Sequence, residues 1–193
     1  MYIVKFPHPT LRHKSKALRT VDAELRKIIR QMFELMYENE GIGLAANQVD
    51  LPYRMFVMNV RADPEALDEE HCFINPVITK RSGTAEGEEG CLSFPGIYAP
   101  VRRPEKVVLA AYNPAGQEVT YELDGLYARV VQHETDHLDG VVFVDRLNAT
   151  GKLAVKQPLE DLQRQFESDR RRGLIPKDDR IAARLAELEK VRT

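Results

Sequence analysis

A domain that combines helices with an antiparallel sheet is what this 193-residue sequence predicts, on three observations. Apolar residues recur at intervals of three and four across 22–39, the period of an amphipathic helix. Short runs rich in Val, Ile, Phe and Tyr fill the stretch from Tyr53 to about Tyr121, separated by turn signals. A second helical candidate follows at 125–138.

In the first helix Leu25, Ile28, Ile29, Met32, Phe33, Leu35 and Met36 make the apolar face; Asp22 is placed to cap its start and Gly41 to stop it. Asn75-Pro76, Ser82-Gly83 and Asn113-Pro114-Ala115-Gly116 punctuate the strand region, which reads as an antiparallel sheet. Asp124 is available to cap the second helix, and Gly140 follows its end. Val141 to Val144 reads as one more short strand. After about Lys156 the composition turns charged, Arg170-Arg171-Arg172-Gly173 reads as a break, and Asp178 to Lys190 as a final helix.

Length and a 43% hydrophobic content suffice for one compact core. A formal charge of −2, from 28 basic and 30 acidic residues, gives no overall field that would draw the molecule to nucleic acid or a membrane. The N-terminus mixes Lys5, His8 and two prolines with its apolar residues, so it lacks the run of a signal peptide, and no stretch is long enough to span a bilayer. Two cysteines, Cys72 and Cys91, are too few for a disulfide framework and fit a reducing, cytoplasmic setting.

Chemistry concentrates in three segments. In Gln132-His133-Glu134-Thr135-Asp136-His137 the two histidines lie four residues apart, so on a helix both project from one face and can grip one metal ion. Glu134, beside the first of them, can take a proton from water polarised by that ion. A catalytic site of this kind needs a third protein ligand. Cys91, in Glu88-Glu89-Gly90-Cys91-Leu92-Ser93, is the leading candidate, although a small buried core residue is the plainer reading of an unpaired cysteine; Cys72 is assigned to the core. The third segment, Glu40-Gly41-Ile42-Gly43-Leu44-Ala45-Ala46-Asn47-Gln48, is by itself a helix end and a Gly-rich turn. Beside a metal its tight backbone could align an extended peptide, with the Gln48 amide facing a developing oxyanion.

In this order the three segments resemble peptide deformylase: Gly-x-Gly-Leu-Ala-Ala-x-Gln at 41–48, Glu-Gly-Cys-Leu-Ser at 89–93 and Gln-His-Glu-x-Asp-His at 132–137. The opening Phe6-Pro7-His8-Pro9-Thr10-Leu11-Arg12 is similar too, with His8 where the family more usually has Asp, and the resemblance extends over about residues 1–148. It implies an α+β fold, antiparallel sheets packed around a central helix that carries His-Glu-x-x-His, with an N-terminal and a C-terminal helix. It implies removal of the formyl group from N-terminal formyl-methionine, with Cys91, His133 and His137 as metal ligands. Glu134 would then be general base and later general acid, and Gln48 with the backbone N–H of Leu92 would stabilise the oxyanion. The backbone of Ile42 and Gly43 would bind the substrate main chain, and Ile42, Tyr127 and Val130 would line a methionine pocket; Arg129 stands where relatives can have an aliphatic residue. The implied ion is Fe(II), with Zn(II), Ni(II) or Co(II) as alternatives, and the partners are N-formylmethionyl peptides, with ribosome association in some relatives and neither membrane nor sequence-specific nucleic acid.

Two other readings stay open for the residues alone. A zinc peptidase would draw a third ligand from downstream, where no histidine follows His137. A structural zinc in an interaction protein would need a fourth protein ligand and leave Glu134 and Gln48 idle. Residues 1–165 are expected to form one catalytic domain and 166–193 a charged extension. In that extension Ile181, Leu185 and Leu188 form a narrow stripe expected to pack on its own domain, so that removing the tail would spare turnover.

Overall fold

A computed structural model describes residues 1–193. Helix α1 (Ala23–Glu38) buries Leu25, Ile29, Met32, Phe33 and Met36. Asp22 caps it, its Oδ1 accepting from Leu25 N–H at 2.7 Å. At the other end the left-handed residue is Glu40 (φ 56°), not Gly41. Gly41 is needed for room instead: a Cβ there would lie 2.7 Å from Leu92 Cδ1.

Five antiparallel strands, β1 (Gly43–Ala45), β2 (Met55–Met58), β3 (His71–Ser82), β6 (Lys106–Tyr112) and β7 (Glu118–Asp124), form one sheet in the order β1-β2-β3-β6-β7. A hairpin of β4 (Ala85–Gly90) and β5 (Tyr98–Arg103) stands apart from it. The alternation of a strand explains why all four residues of β2 are buried. Met55 and Val57 face one way, into the cluster built on α1, while Phe56 and Met58 face the other, into a cluster shared with Ala128, Val130 and Val131.

Those last three belong to α2 (Gly125–Leu138), which packs on the sheet and meets the hairpin through side chains such as Arg129 and His133. Burial on every side follows: His133, Glu134, His137 and even Gln132 are shielded from solvent. A third cluster gathers Val4, Leu11, Phe94, Val101 and Phe143 under the hairpin. This is the α+β arrangement expected, with the histidine-bearing helix at its centre.

Two segments differ from the sequence reading. Residues 143–146 form a 3-10 turn rather than a strand; Val142, Phe143 and Val144 fill the third cluster, and Asp145 Oδ2 accepts from Val142 N–H at 2.9 Å. Past the short helix α3 (Ala149–Ala154), the charged stretch folds as α4 (Lys156–Arg171), with Pro158 tolerated in its first turn and only Phe166 buried. It runs unbroken across position 165. Finally α5 (Asp178–Arg192) returns to the body and buries Ile181 and Leu185. No helix is long and apolar enough to cross a membrane.

Candidate metal centre

Helix α2 supplies two imidazoles one turn apart, and the residue after β4 supplies a sulfur. Cys91 Sγ lies 3.2 Å from His137 Nε2, which lies 3.2 Å from His133 Nε2. The three ligand atoms fall within 4.8 Å of one another, and no fourth Asp, Glu, His or Cys joins the group. Two facing imidazole nitrogens and a sulfur, all acceptors when deprotonated, suit a divalent cation. Glu134 Oε2 and His137 Nδ1 are buried with no hydrogen-bond partner. An orphaned carboxylate oxygen beside three metal-type donors is what a site for an ion and a water requires. The Cys-His-His cluster can therefore hold a metal, and its geometry fits one.

His133 is oriented from behind, its Nδ1 lying 3.0 Å from Glu89 Oε2, which leaves Nε2 for the centre. Glu89 in turn takes a bidentate bond from Arg103, 2.6 Å from Nε and 2.9 Å from Nη2, and another from Arg129 Nη1 at 2.7 Å. Arg103 also reaches Asp136 on α2 at 2.7 Å. Burial opposes a charge on Glu89, but the bonds from His133 and Arg103 win and hold its carboxyl well below the usual carboxylate range. Burial likewise opposes a proton on His133, yet the Cys91 sulfur and Glu89 outweigh it and bring that imidazole up to about 10. His137 is lowered well below its ordinary value by burial and by His133, as suits a neutral ligand. Burial pushes Glu134 up to about 7.

Glu89 joins the hairpin to α2 through two arginines and one histidine. Glu89→Ala is expected to destabilise the fold by about 3–5 kcal/mol, the cost of leaving buried partners unpaired. Urea unfolding would measure it, and a loss below about 1 kcal/mol would show that the network contributes little.

Gln48 sits in a 3-10 turn, Ala46–Val49, directly after β1. Its Oε1 accepts from Ala45 N–H at 2.8 Å, which turns Nε2 toward Cys91 Sγ and Ser93 Oγ, both at 3.3 Å. Leu92 N–H meets no backbone acceptor, and the Leu92 carbonyl is held by Lys5 Nζ at 2.7 Å.

Just before β1 the Ile42 carbonyl is taken by Asn59 N–H at 3.1 Å, which extends the pairing with β2 by one residue. By the alternation of antiparallel ladders, the N–H and C=O of Gly43 then point to the free edge. A side chain at Gly43 has no room: its Cβ would lie 2.5 Å from Glu134 Oε1 and 2.9 Å from Val130 Cγ1. These groups open on a cleft of about 470 Å³.

Cys91, His133, His137, Glu134, Gln48, Leu92, Ile42 and Gly43 all border that cleft or its floor. Of the expected pocket residues Val130 borders it, whereas Tyr127 turns away, its hydroxyl bonded to Glu69. Sequence reading missed Glu89, Arg103, Asp136 and Arg129 as supports. Glu89 could have been flagged, two positions before Cys91 near the end of β4; Arg103 and Arg129 carried no local signal.

The sequence profile of the polypeptide deformylase family matches residues 1–153. A peptide deformylase of Rhodopirellula baltica is 44% identical over 191 residues, 99% of this chain and 94% of that one. A peptide deformylase of Neisseria meningitidis is 46% identical over 162 residues, covering 84% and 95%. Among solved structures, peptide deformylase 1B of Arabidopsis thaliana, in complex with an inhibitor, superposes with a TM-score of 0.84 at 40% identity, over 88% of this chain and 93% of that one.

Proposed function

The chain belongs to the peptide deformylase family, and on that premise we propose how its residues divide the work. It is a metal-dependent hydrolase that removes the formyl group from N-terminal formyl-methionine of newly made polypeptides, releasing formate. One observation carries the reading: the orphaned oxygen of Glu134 stands beside three converging metal-type donors at the floor of a cleft.

Cys91 Sγ, His133 Nε2 and His137 Nε2 hold one divalent ion, Fe(II) natively, with Zn(II), Ni(II) or Co(II) as working substitutes. When bound, the ion polarises the formyl carbonyl and the attacking water. Glu134 takes the water's proton on its free carboxylate oxygen and later delivers it to the leaving amine nitrogen. Gln48 Nε2 and the Leu92 N–H donate to the oxygen that gains charge at the formyl carbon. Gly43 offers its outward N–H and C=O to the substrate main chain, which lies along the free edge of β1, while Ile42 lines the cleft beside it. The crowding of Gly43 against Glu134 leaves little space at the reacting carbon, which favours formyl over larger acyl groups.

Peptides that begin with formyl-methionine are thus the partner, and the cytoplasm, where chains emerge, is the proposed location. Ribosome contact belongs to the same proposal, but not through the apolar stripe of α5, which is turned inward. Neither a membrane nor a specific nucleic-acid sequence is part of it.

The test is hydrolysis by Fe(II)- or Ni(II)-loaded protein under argon. Formyl-Met-Ala is expected to release formate rapidly, acetyl-Met-Ala to react far more slowly, and the Met-Ala bond to stay intact. Release of free methionine from unformylated Met-Ala, without formate from the blocked peptide, would favour a peptidase instead.

A further inference from the structure

The turn that carries Gln48 is closed locally by Ala45 N–H on Gln48 Oε1 at 2.8 Å, Asp50 N–H on the Asn47 carbonyl at 3.3 Å and Leu51 N–H on the Ala46 carbonyl at 3.1 Å. It is a single 3-10 turn of four residues and ends on Asp50, a non-glycine residue in the left-handed region at φ 63°. Such a conformation persists only when the surroundings impose it. The surroundings here come from far along the chain. Val4 N–H donates to the Gln48 carbonyl at 2.8 Å, and Thr10 Oγ1 donates to Asp50 Oδ1 at 2.6 Å. From α5, Arg184 Nη2 donates to the Asp50 main-chain oxygen at 2.6 Å and also pairs with Asp50 Oδ2.

Helix α5 is anchored well enough to make that last grip count. Ile181 and Leu185 are buried, Glu189 pairs with His13 and Lys16, both at 2.7 Å, and Arg192 binds Asp22 at 2.8 Å and Glu24 at 2.9 Å. An isolated pair with a half-exposed arginine contributes little to stability. Its value is geometric, because one guanidinium holds both the main chain and the side chain of the residue that fixes how the turn ends.

We propose that Arg184, on the C-terminal helix and beyond the residues matched by the family profile, is a positioning residue for Gln48, which it holds through Asp50. The inference rests on the oxyanion role given to Gln48 above. Loss of the grip lets the turn relax and moves the Gln48 amide off the place where charge develops. Because that donor acts in the transition state, the loss falls on kcat rather than KM. It also revises the expectation that the tail is dispensable for turnover.

A double-mutant cycle on the full-length, metal-loaded chain tests this, with formyl-Met-Ala as substrate. Arg184→Ala is expected to lower kcat about three- to tenfold with KM nearly unchanged, and Arg184→Lys, whose ammonium is in reach of Asp50 but lacks the planar fork, to restore only part of it. In a Gln48→Ala background, Arg184→Ala should cost less than about twofold more, since the group it positions is gone. Amide hydrogen exchange over residues 46–51 should be faster in Arg184→Ala than in wild type, while exchange in α2 is unchanged. Wild-type kcat in Arg184→Ala, an undiminished loss in the Gln48→Ala background, or unaltered exchange at 46–51 would each overturn the proposal. If Gln48→Ala itself turned over like wild type, the oxyanion assignment would fall and this inference with it. Absence of deformylation by wild type would instead strike the proposed function.

Discussion

Glu134→Gln is expected to bind the metal as wild type does and to lose about 10²- to 10⁴-fold in kcat, the range that a positioned proton carrier contributes. The amide keeps the size of the carboxylate, so the contact with Gly43 and the packing of α2 are preserved. What it cannot do is accept a proton. In wild type, Oε2 is buried with no partner, and burial brings the carboxyl up to about 7, so the group can both take a proton and return it near neutral pH. Metal analysis alongside single-turnover release of formate from formyl-Met-Ala would check both halves. Turnover at the wild-type rate would remove Glu134 from the role of base.

Cys91→Ser gives the complementary result: the folded chain loses the ion. A hydroxyl stays protonated at neutral pH and is a hard, weak donor, whereas a thiolate is soft and anionic. Affinity is expected to fall by more than the roughly 10- to 100-fold that removing an outer hydrogen-bond partner of a ligand costs. The change is nearly isosteric, and Cys91 is only partly buried, so unfolding by urea should be little altered in the apo forms. Competition against a chromophoric chelator measures the affinity directly. Retention as tight as in wild type would mean that sulfur is not a ligand, and the third ligand would have to be sought elsewhere.

The parts of this protein that were legible in its sequence are those whose cause is local. Helix α1 declared itself by its apolar period and by Asp22, whose capping bond the structure contains. In α2, His133 and His137 are neighbours for the same local reason, the rise of a helix. Strand β1 escaped notice because Gly43, Leu44 and Ala45 carry almost no strand propensity; they are extended because β2 pairs with them. Residues 141–144 looked like a strand by composition but serve a cluster that is not a sheet. Helix α4 was hidden by its charge, since Leu159, Leu162 and Phe166 are a thin stripe among polar residues.

For the site the same division holds. Cys91 stood out as the leading third ligand in its glycine-flanked segment, and three ordered motifs that pointed to a family strengthened that choice, but nothing in the segment itself says which helix the sulfur will face. The grip of Arg103 and Arg129 on Glu89 depends on the register of β4 with β5 and on how the hairpin meets α2. Those are tertiary facts, and single-sequence patterns do not contain them.

The two cysteines have opposite fates. Cys72 is enclosed beneath α1, where burial pushes its thiol up to about 12, while Cys91 is partly open to the cleft. An alkylating reagent applied to the folded chain therefore has one target. Iodoacetamide should add a single carbamidomethyl group, and only to molecules whose ion has been stripped, because a coordinated sulfur is shielded. Intact mass after a brief exposure then counts the empty centres in a preparation, molecule by molecule, without any substrate.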